Sequence, residues 1–477
     1  MNSAVSVRVP RTRFVATIGP SSRSTAVLRG LLDAGVSVFR INFSHGTLDE
    51  HATALGRLRS VAGPRGAAVL ADLQGPKIRT GRTDGDAPVT LQTGATIELL
   101  AGPGPCDERR VSIAYSTLFE EIQPGQIILI NDGAIRLRVI ETDAKRGRGI
   151  AEVLHGGVYA SRKGVNIPGA RLRIPALTAK DRRDLKFILA QRFDYVALSF
   201  VRTAADLVGL RQRLQSASIR PRVIAKIETP EAVEDIEAIL ETCDGIMVAR
   251  GDLGVEVEPE RVPTIQKDLI AAANRRGRTV IVATQMLESM IQSPRPTRAE
   301  ASDVANAILD GADALMLSGE TSIGKFPVEA ARMMAAIDAR VAESPWSDPG
   351  MRDLRLPDHR PFHALCEAAV WASRDLGHAP IVVFTLSGDT AHYLSKLRPR
   401  APIFAFTPDP CTARRLALTW QTRVFATGRV RRADTLTARA RRQLREAGLV
   451  SAGGVVVVVG GTLPISGLSD SLRIVQV

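Results

Sequence analysis

Lys226 and Glu228 stand one residue apart in "RVIAKIE", an apolar run with the β-branched content of a strand. Residues two apart in a strand share a face. Ile224, Lys226 and Glu228 therefore point to one side, and Ala225 and Ile227 to the other. Thr229 reads as a helix N-cap and Pro230 as the first helical residue. An ammonium and a carboxylate are thus expected side by side at the carboxyl end of a strand, just before a helix. Other apolar runs end in polar residues in the same way. "FRINFSH" sets Arg40, Asn42 and Ser44 on one face with Ile41 and Phe43 on the other. Asp72 ends "AAVLAD", Gly251 and Asp252 follow "GIMVAR", and Thr284 follows "TVIVA". Buried charges are costly unless they are paired or hold a ligand, so such a convergence implies an ionic partner.

The residue types narrow that partner. Glu228 and Asp252 are carboxylates from successive strands with no His or Cys beside them. They suit a hard cation held through oxygens with positions left open, which fits Mg²⁺ and argues against zinc. Gly251 allows a backbone N–H close to an anion, while Arg40 and Lys226 add fixed positive charge. The set suits a small, multiply anionic substrate carrying phosphate, because phosphoryl transfer asks mainly for positioning and charge neutralisation. Neither a Walker-type phosphate loop nor a dinucleotide fingerprint after a strand is present, so a nucleotide would be held by another architecture.

The elements that must position these groups follow from a repeating rhythm. Short β-branched runs alternate with amphipathic helical patterns in "FVATIG", "VFRINFS", "AAVLADLQG", "DYVALSF", "RVIAKIE", "GIMVARGD", "TVIVATQM" and "ALMLSG". Eight such units predict a parallel sheet closed on itself, a (β/α)8 TIM barrel, whose polar strand ends gather at one rim. The third strand is followed by a Gly-, Pro- and Thr-rich stretch with alternating patterns such as "QIILINDGAIRLRVI". This predicts a small inserted β-barrel domain over residues 81–173, able to act as a lid. The eighth helix is expected to end near Ser344, and "SPWSDPGMRDLRLPDHRP" reads as a linker. A second α/β rhythm then predicts a doubly wound C-terminal domain. The expected division is residues 1–80 and 174–343 for the barrel, 81–173 for the insertion and 344–477 for the C-terminal domain.

Composition sets outer limits. The 477 residues are 45% hydrophobic and 24% charged, with a net charge of +13, ordinary for a globular chain except in charge. The densest basic run, "GRVRRADTLTARARRQLREAG", has the pattern of a helix with a solvated basic face. Aromatic residues are only 4%, which leaves little for base stacking, so no nucleic-acid partner is expected. Cys106, Cys243, Cys366 and Cys411 show no metal-ligand or redox spacing. The N-terminus lacks a signal-peptide core and "VVVVVG" is too short to span a membrane. A soluble cytoplasmic protein is expected.

The chain resembles the pyruvate kinases. The resemblance is carried by "ATIGPSSRS", "FRINFSHGT", "GPKIRTG", "KGVNIPGA", "AKIETPEAVEDI", "MVARGDLGVEV", the long run from "ATQMLESM" to "LSGET", and more loosely "SGDTAHYLSKLRP". It implies transfer of phosphate from phosphoenolpyruvate to ADP, giving pyruvate and ATP, the last step of glycolysis. Glu228 and Asp252 then match Mg²⁺ ligands. Lys226 matches the residue that stabilises the transferring phosphoryl group and the enolate, and Arg40 the phosphate ligand. Gly251, Asp252 and Thr284 match substrate-holding positions, with Thr284 near the carbon that is protonated. Asn42, Ser44, His45, Arg79 and Lys163 match positions around the nucleotide phosphates.

The resemblance also implies a monovalent-cation site at Asn42, Ser44, Asp72 and the backbone of Leu73. K⁺-requiring relatives have Glu where this chain has Lys77, and Thr and Lys where it has Leu73 and Gln74. An ammonium can stand in for a monovalent cation, so K⁺ is expected to be dispensable. "TLSGDT", with Thr385, Ser387, Gly388 and Thr390, matches the family's effector phosphate loop and predicts a phosphorylated sugar or AMP as activator. "GGTLPISGLSD" lacks the Trp and Arg that accompany fructose 1,6-bisphosphate. A homotetramer is implied as well. A non-catalytic relative would have lost a matched ligand, and none is lost. A barrel aldolase or lyase acting through a Mg²⁺-bound enolate would lack the insertion and the ADP-side residues.

Overall fold

The computed structural model describes residues 10–63, 66–170, 172–215, 217, 219–347, 354, 361–428, 433–460 and 470–477. Most of the expected linker and residues 461–469 of "GGTLPISGLSD" lie outside them. Eight parallel strands close into a barrel. They are β1 (Arg13–Thr17), β2 (Val36–Asn42), β3 (Ala68–Asp72), β4 (Tyr195–Val201), β5 (Arg222–Ile227), β6 (Gly245–Ala249), β7 (Thr279–Ala283) and β8 (Ala314–Leu317). The alternation read from the sequence holds. Val15, Val38, Leu70, Ala197, Ile224 and Met247 pack in the lumen. Phe39, Ile41, Ala225 and Ile227 face outward, into the core shared with the helices. Thr229 caps the helix that Pro230 begins, its side chain accepting from the Ala232 N–H, and the eighth helix runs over Pro327–Glu343.

Between β3 and β4 the chain forms a β-rich insertion. Six strands make one sheet, in the order Val165–Asn166, Ile127–Ile130, Ile135–Asp143, Arg148–His155, Thr96–Ala101 and Arg110–Ile113, and two two-stranded ribbons accompany it. It has its own apolar core, including Leu99, Ile128, Leu137 and Val153. The C-terminal unit is a five-stranded sheet in the order Thr422–Ala426, Ile403–Thr407, Ile381–Phe384, Val455–Gly460 and Ser471–Gln476. Only the last strand is antiparallel, the doubly wound arrangement expected. The basic run becomes helix Ala433–Glu446, with Leu444 buried and Arg441, Arg442 and Arg445 exposed. No described helix is long and apolar enough to cross a membrane.

The C-terminal unit seals the amino-terminal mouth of the barrel. Its Ala417 and Leu418 complete the lumen cluster from below. The residue before each of β4, β6 and β8 is an aspartate, and each ties its strand to the preceding one. The Val69 N–H donates to Asp194 at 2.9 Å, the Val223 N–H to Asp244 at 2.8 Å and the Val280 N–H to Asp313 at 2.8 Å. A buried carboxylate needs a cation. Arg414 meets Asp194 at 2.8 Å, Arg398 meets Asp313 at 2.8 Å, and the fully buried Lys396 reaches Asp313 as well. Arg222 from the barrel itself meets Asp244 at 3.0 Å. The carboxyl-terminal mouth, where the polar strand ends gather, lies at the other end.

Candidate active site

At the carboxyl mouth three strands bring two cations and two carboxylates into one buried cluster. Lys226 Nζ lies 2.7 Å from Glu228 Oε1 and 3.5 Å from Asp72 Oδ1, and it donates to Ser199 Oγ at 2.9 Å. Arg40 Nε meets Asp72 Oδ2 at 2.7 Å, and its Nη1 reaches Thr17 Oγ1 at 3.1 Å. Burial pulls the Lys226 ammonium down, but Asp72, Glu228 and Asp252 together outweigh it and its pKa lies above the ordinary lysine value. Burial would raise Asp72, yet Lys226 and Arg40 outweigh it and hold that carboxyl below the usual range. Glu228 goes the other way. Burial lifts its carboxyl, Lys226 only partly offsets this, and the charge of Asp252 lifts it further. Glu228 and Asp252 are thus two carboxylates near enough for the charge of one to act on the other.

That fits a magnesium ion. Among the described residues no three His, Cys, Asp or Glu side chains gather as a metal cage. Two hard carboxylates with the remaining positions left to substrate and water are the donor set that Mg²⁺ takes.

The loops after β6 and β7 interlock. Helix Arg250–Glu256 begins directly after β6 and carries Gly251 and Asp252 in its first turn. The Gly251 N–H donates to Thr284 Oγ1 at 2.7 Å, so here it serves Thr284 rather than standing free for an anion. A Cβ on Gly251 would stand 3.3 Å from that oxygen, which is why a glycine suits this close approach. Thr284 and Gln285 both have positive φ, 69° and 55°, a strained state for a β-branched residue. Arg250 holds them there, its Nη2 donating to Thr284 O at 2.9 Å and Gln285 O at 3.3 Å while its Nη1 meets Asp303 at 2.7 Å.

Sequence reasoning missed Ser199, Phe200 and Arg250. Ser199 links Lys226 to Asp72 and donates to Leu73 O at 2.8 Å. The Phe200 N–H donates to Glu228 Oε2 at 2.7 Å from a backbone at φ 54°. The β4 ladder shifts register there, between Leu198 and Val201. Ser199 ends an apolar strand just as Asp72 does, and that was the available signal; the bulge left none.

The expected nucleotide-side residues fall into two groups. Asn42, Ser44 and His45 follow Arg40 on one segment, with Asn42 beside Asp72 in the ladder and its Oδ1 accepting from the Ser44 N–H at 3.0 Å; His45 is exposed. Arg79 and Lys163 sit on the insertion's stalk, where Arg79 bridges to Gly164. Among the described residues no hydrogen bond or ion pair joins these two to the Lys226 cluster. Lys77 lies against the stalk too, its Cε 3.0 Å from where a Gly164 Cβ would stand, with no bond to Asn42, Ser44 or Asp72 among the described residues.

The "TLSGDT" hydroxyls are largely spent on their own turn. Thr385 Oγ1 accepts from the Gly388 N–H at 2.9 Å and Ser387 Oγ donates to Asp389 Oδ2 at 2.9 Å. Thr390 is buried at the head of the following helix, and Gly388 takes φ 94° as its N-cap, a conformation that favours glycine. Ser387 and Gly388 nevertheless line a cavity of ≈ 290 Å³ between the C-terminal unit and the barrel, with Arg222, Arg276, Arg278 and Arg415 on its walls.

A closed parallel barrel with this ionic cluster at its carboxyl mouth and a β insertion beside it is a TIM-barrel architecture with a charged rim suited to an anionic substrate. The family models for the pyruvate kinase barrel domain and the pyruvate kinase alpha/beta domain match residues 9–331 and 363–475. Pyruvate kinase 2 of Synechocystis sp. is 44% identical over 97% of this chain and 79% of its own length. A pyruvate kinase of Agrobacterium vitis is 44% identical over 98% and 97% of the two chains, and that of Mycobacterium tuberculosis 42% over 95% of each. The crystal structure of a pyruvate kinase from Cryptosporidium parvum superposes with a TM-score of 0.91 at 34% identity, covering 99% of this chain and 97% of that one. The chain belongs to the pyruvate kinase family.

Proposed function

We propose that the mouth built around Lys226, Glu228 and Asp252 transfers the phosphoryl group of phosphoenolpyruvate to ADP, giving pyruvate and ATP. The observation that carries this is the buried cluster of Arg40, Asp72, Lys226 and Glu228. The bond from the enol oxygen to phosphorus breaks and a bond from an ADP β-phosphate oxygen forms. The enolate keeps the electron pair and takes a proton on carbon. Arg40 and Lys226 neutralise the phosphoryl group, and Lys226 then faces the charge left on the enolate oxygen. Glu228 and Asp252 would hold Mg²⁺, which would supply Lewis-acid stabilisation of developing negative charge. Thr284, fixed by Arg250 and the Gly251 N–H, stands by the protonated carbon. Asn42, Ser44, His45, Arg79 and Lys163 take the nucleotide phosphates, the last two delivered by the stalk. Pyruvate formed from phosphoenolpyruvate, ADP and Mg²⁺, and absent when any one is withheld, is the expected result; no pyruvate with all three present refutes the reading.

K⁺ is dispensable in this reading, with Lys77 supplying the monovalent charge. In support, the oxygens that would cage K⁺ already accept hydrogen bonds: Asn42 Oδ1 from the Ser44 N–H, Leu73 O from Ser199 Oγ, and Asp72 Oδ2 from Arg40 Nε. An activating phosphate of a sugar or of AMP binds at Ser387 and Gly388, facing the arginines of the ≈ 290 Å³ cavity. If Ser387→Glu left the response to sugar phosphates and AMP unaltered, that site would be wrong. The working assembly is a homotetramer in the cytoplasm, and a monomer by light scattering at micromolar concentration contradicts it.

A further inference from the structure

The insertion leaves and rejoins the barrel along a single two-stranded stalk. The Thr80 N–H donates to Lys163 O at 2.8 Å, the Arg162 N–H to Gly81 O at 2.9 Å and the Val165 N–H to Ile78 O at 3.0 Å, while the Lys163 N–H reaches Thr80 Oγ1 at 2.9 Å. Arg79 and Lys163 ride on this stalk. Its last paired residue is Asn166, opposite Leu129 in the insertion's main sheet. Asn166 Nδ2 reaches across to the barrel and donates to Glu256 Oε1 at 2.6 Å. Glu256 is the last residue of helix Arg250–Glu256, whose first turn carries Gly251 and Asp252.

Both ends of that bond are rigidly mounted. Asn166 is fixed by strand pairing and Glu256 by its helix, a rod only ~10 Å long at 1.5 Å per residue, so displacement of one end moves the other. A second grip lies on the return hinge, where Arg202 donates to Leu172 O and Ile174 O. One attachment leaves a stalk free to pivot; two fix its direction.

We infer that Asn166 and Glu256 are a positioning pair, tying the stalk that bears Arg79 and Lys163 to the helix that bears Gly251 and Asp252, so that nucleotide-side and metal-side groups come together as one unit. The inference rests on the proposed reading of Arg79 and Lys163 as nucleotide ligands. Neither member of the pair touches the reacting atoms. Their effect is on how well the two halves of the site are aligned.

The test is a double-mutant cycle of Asn166→Ala and Glu256→Ala on the full chain, with Lys163→Ala run alongside. Each single variant of the pair is expected to raise KM for ADP, and the Mg²⁺ concentration for half-maximal rate, by roughly two- to tenfold, the worth of one buried hydrogen bond. The double variant should be no worse than the worse single one. Glu256→Gln keeps an acceptor oxygen and should restore most of the ADP affinity. Without ligands, hydrogen exchange at residues 78–81 and 162–166 should quicken in Asn166→Ala while the barrel strands stay protected. Additive defects in the double variant, or an unchanged KM for ADP in both singles while Lys163→Ala raises it, overturn the pair. If Lys163→Ala leaves KM for ADP alone but stalk exchange still quickens in Asn166→Ala, the nucleotide reading falls and the mechanical tie stands.

Discussion

Replacing Lys226 by methionine removes one of two cations from a buried group of four charges. Two effects follow, and the geometry separates them. The first is on the chemistry. Lys226 is the cation shared by Asp72 and Glu228, at 3.5 and 2.7 Å, and in the proposed mechanism it stands beside the carboxylates that would hold the metal. Loss of one preorganised charge contact to a transition state costs roughly 3–4 kcal/mol, or about 10²–10³ in rate. The second is on the fold. Arg40 still pairs with Asp72 at 2.7 Å, but among the described residues Glu228 keeps only the Phe200 N–H at 2.7 Å. Breaking a buried pair from one side typically costs about 3–5 kcal/mol. Glu228 limits that cost, because burial already lifts its pKa and so weakens its hold on a full charge.

A domain of ordinary stability, about 5–15 kcal/mol, absorbs this and stays folded. The assay is steady-state pyruvate release at saturating phosphoenolpyruvate, ADP and Mg²⁺, with circular dichroism and a thermal melt on the same preparation. The expected outcome is a native spectrum, a lowered melting temperature, and kcat down by about 10²–10³. A folded variant within tenfold of wild type would refute the assigned role.

Glu228→Gln and Asp252→Asn should each shift the Mg²⁺ titration of activity to higher concentration, since each removes one anionic ligand from a site with few protein donors; unchanged curves in both would place the metal elsewhere. His392 Nε2 donates to Gly277 O at 2.7 Å, and burial, with Lys396 nearby, pulls its pKa from 6.5 to about 4. Because the folded value is depressed, its contribution is whole above pH 6.5 and is lost as pH falls toward 4. The ring borders the cavity and is partly solvated, so the loss is about 1–3 kcal/mol rather than the full shift. His392→Gln, which does not titrate, should therefore melt with a flatter pH dependence than wild type between pH 7 and 4.5; equal slopes would remove His392 from the account. The wild-type enzyme should run at near-full rate in buffer free of K⁺ and Na⁺, and Lys77→Glu should acquire a K⁺ requirement; strong K⁺ activation of the wild type at saturating substrate contradicts this.

Much of the barrel was legible because period-two alternation and helix caps are local. Ile224, Lys226 and Glu228 share the lumen side because a strand allows nothing else, and Thr229 caps because its hydroxyl sits where the first free N–H groups need an acceptor. The floor of the barrel was not legible. Ala417 and Leu418 come from a three-residue turn of the C-terminal unit, Leu416–Leu418, which reads in sequence as ordinary helix. Its place in the lumen depends on contacts across more than 300 residues, such as Ser37 Oγ to Ala417 O at 2.9 Å. The same holds for Asp194, Asp244 and Asp313. Each looks like a loop aspartate ahead of a strand; the partners of Asp194 and Asp313, Arg414 and the pair Lys396 and Arg398, lie in another domain, and Asp244 is met by Arg222 and Arg211 of the barrel.

Within the site, the residues found from sequence are those whose charge is conspicuous at a strand end, and the residues missed are those that hold them. Glu228 was legible as a carboxylate. Its second partner is a main-chain N–H, and no side-chain pattern encodes that Phe200 bends to positive φ to offer it. Thr284 was legible as a hydroxyl after an apolar run, but its strained backbone is kept by Arg250, which sequence assigns only to the start of the next loop. Asn166 and Glu256 are separated by 90 residues and belong to different domains, so nothing short of the folded chain sets them face to face. Strand geometry alone brings ionic groups to a rim. Holding them at working distances takes backbone donors, a bulge and cross-domain hydrogen bonds, each defined only when the chain closes on itself.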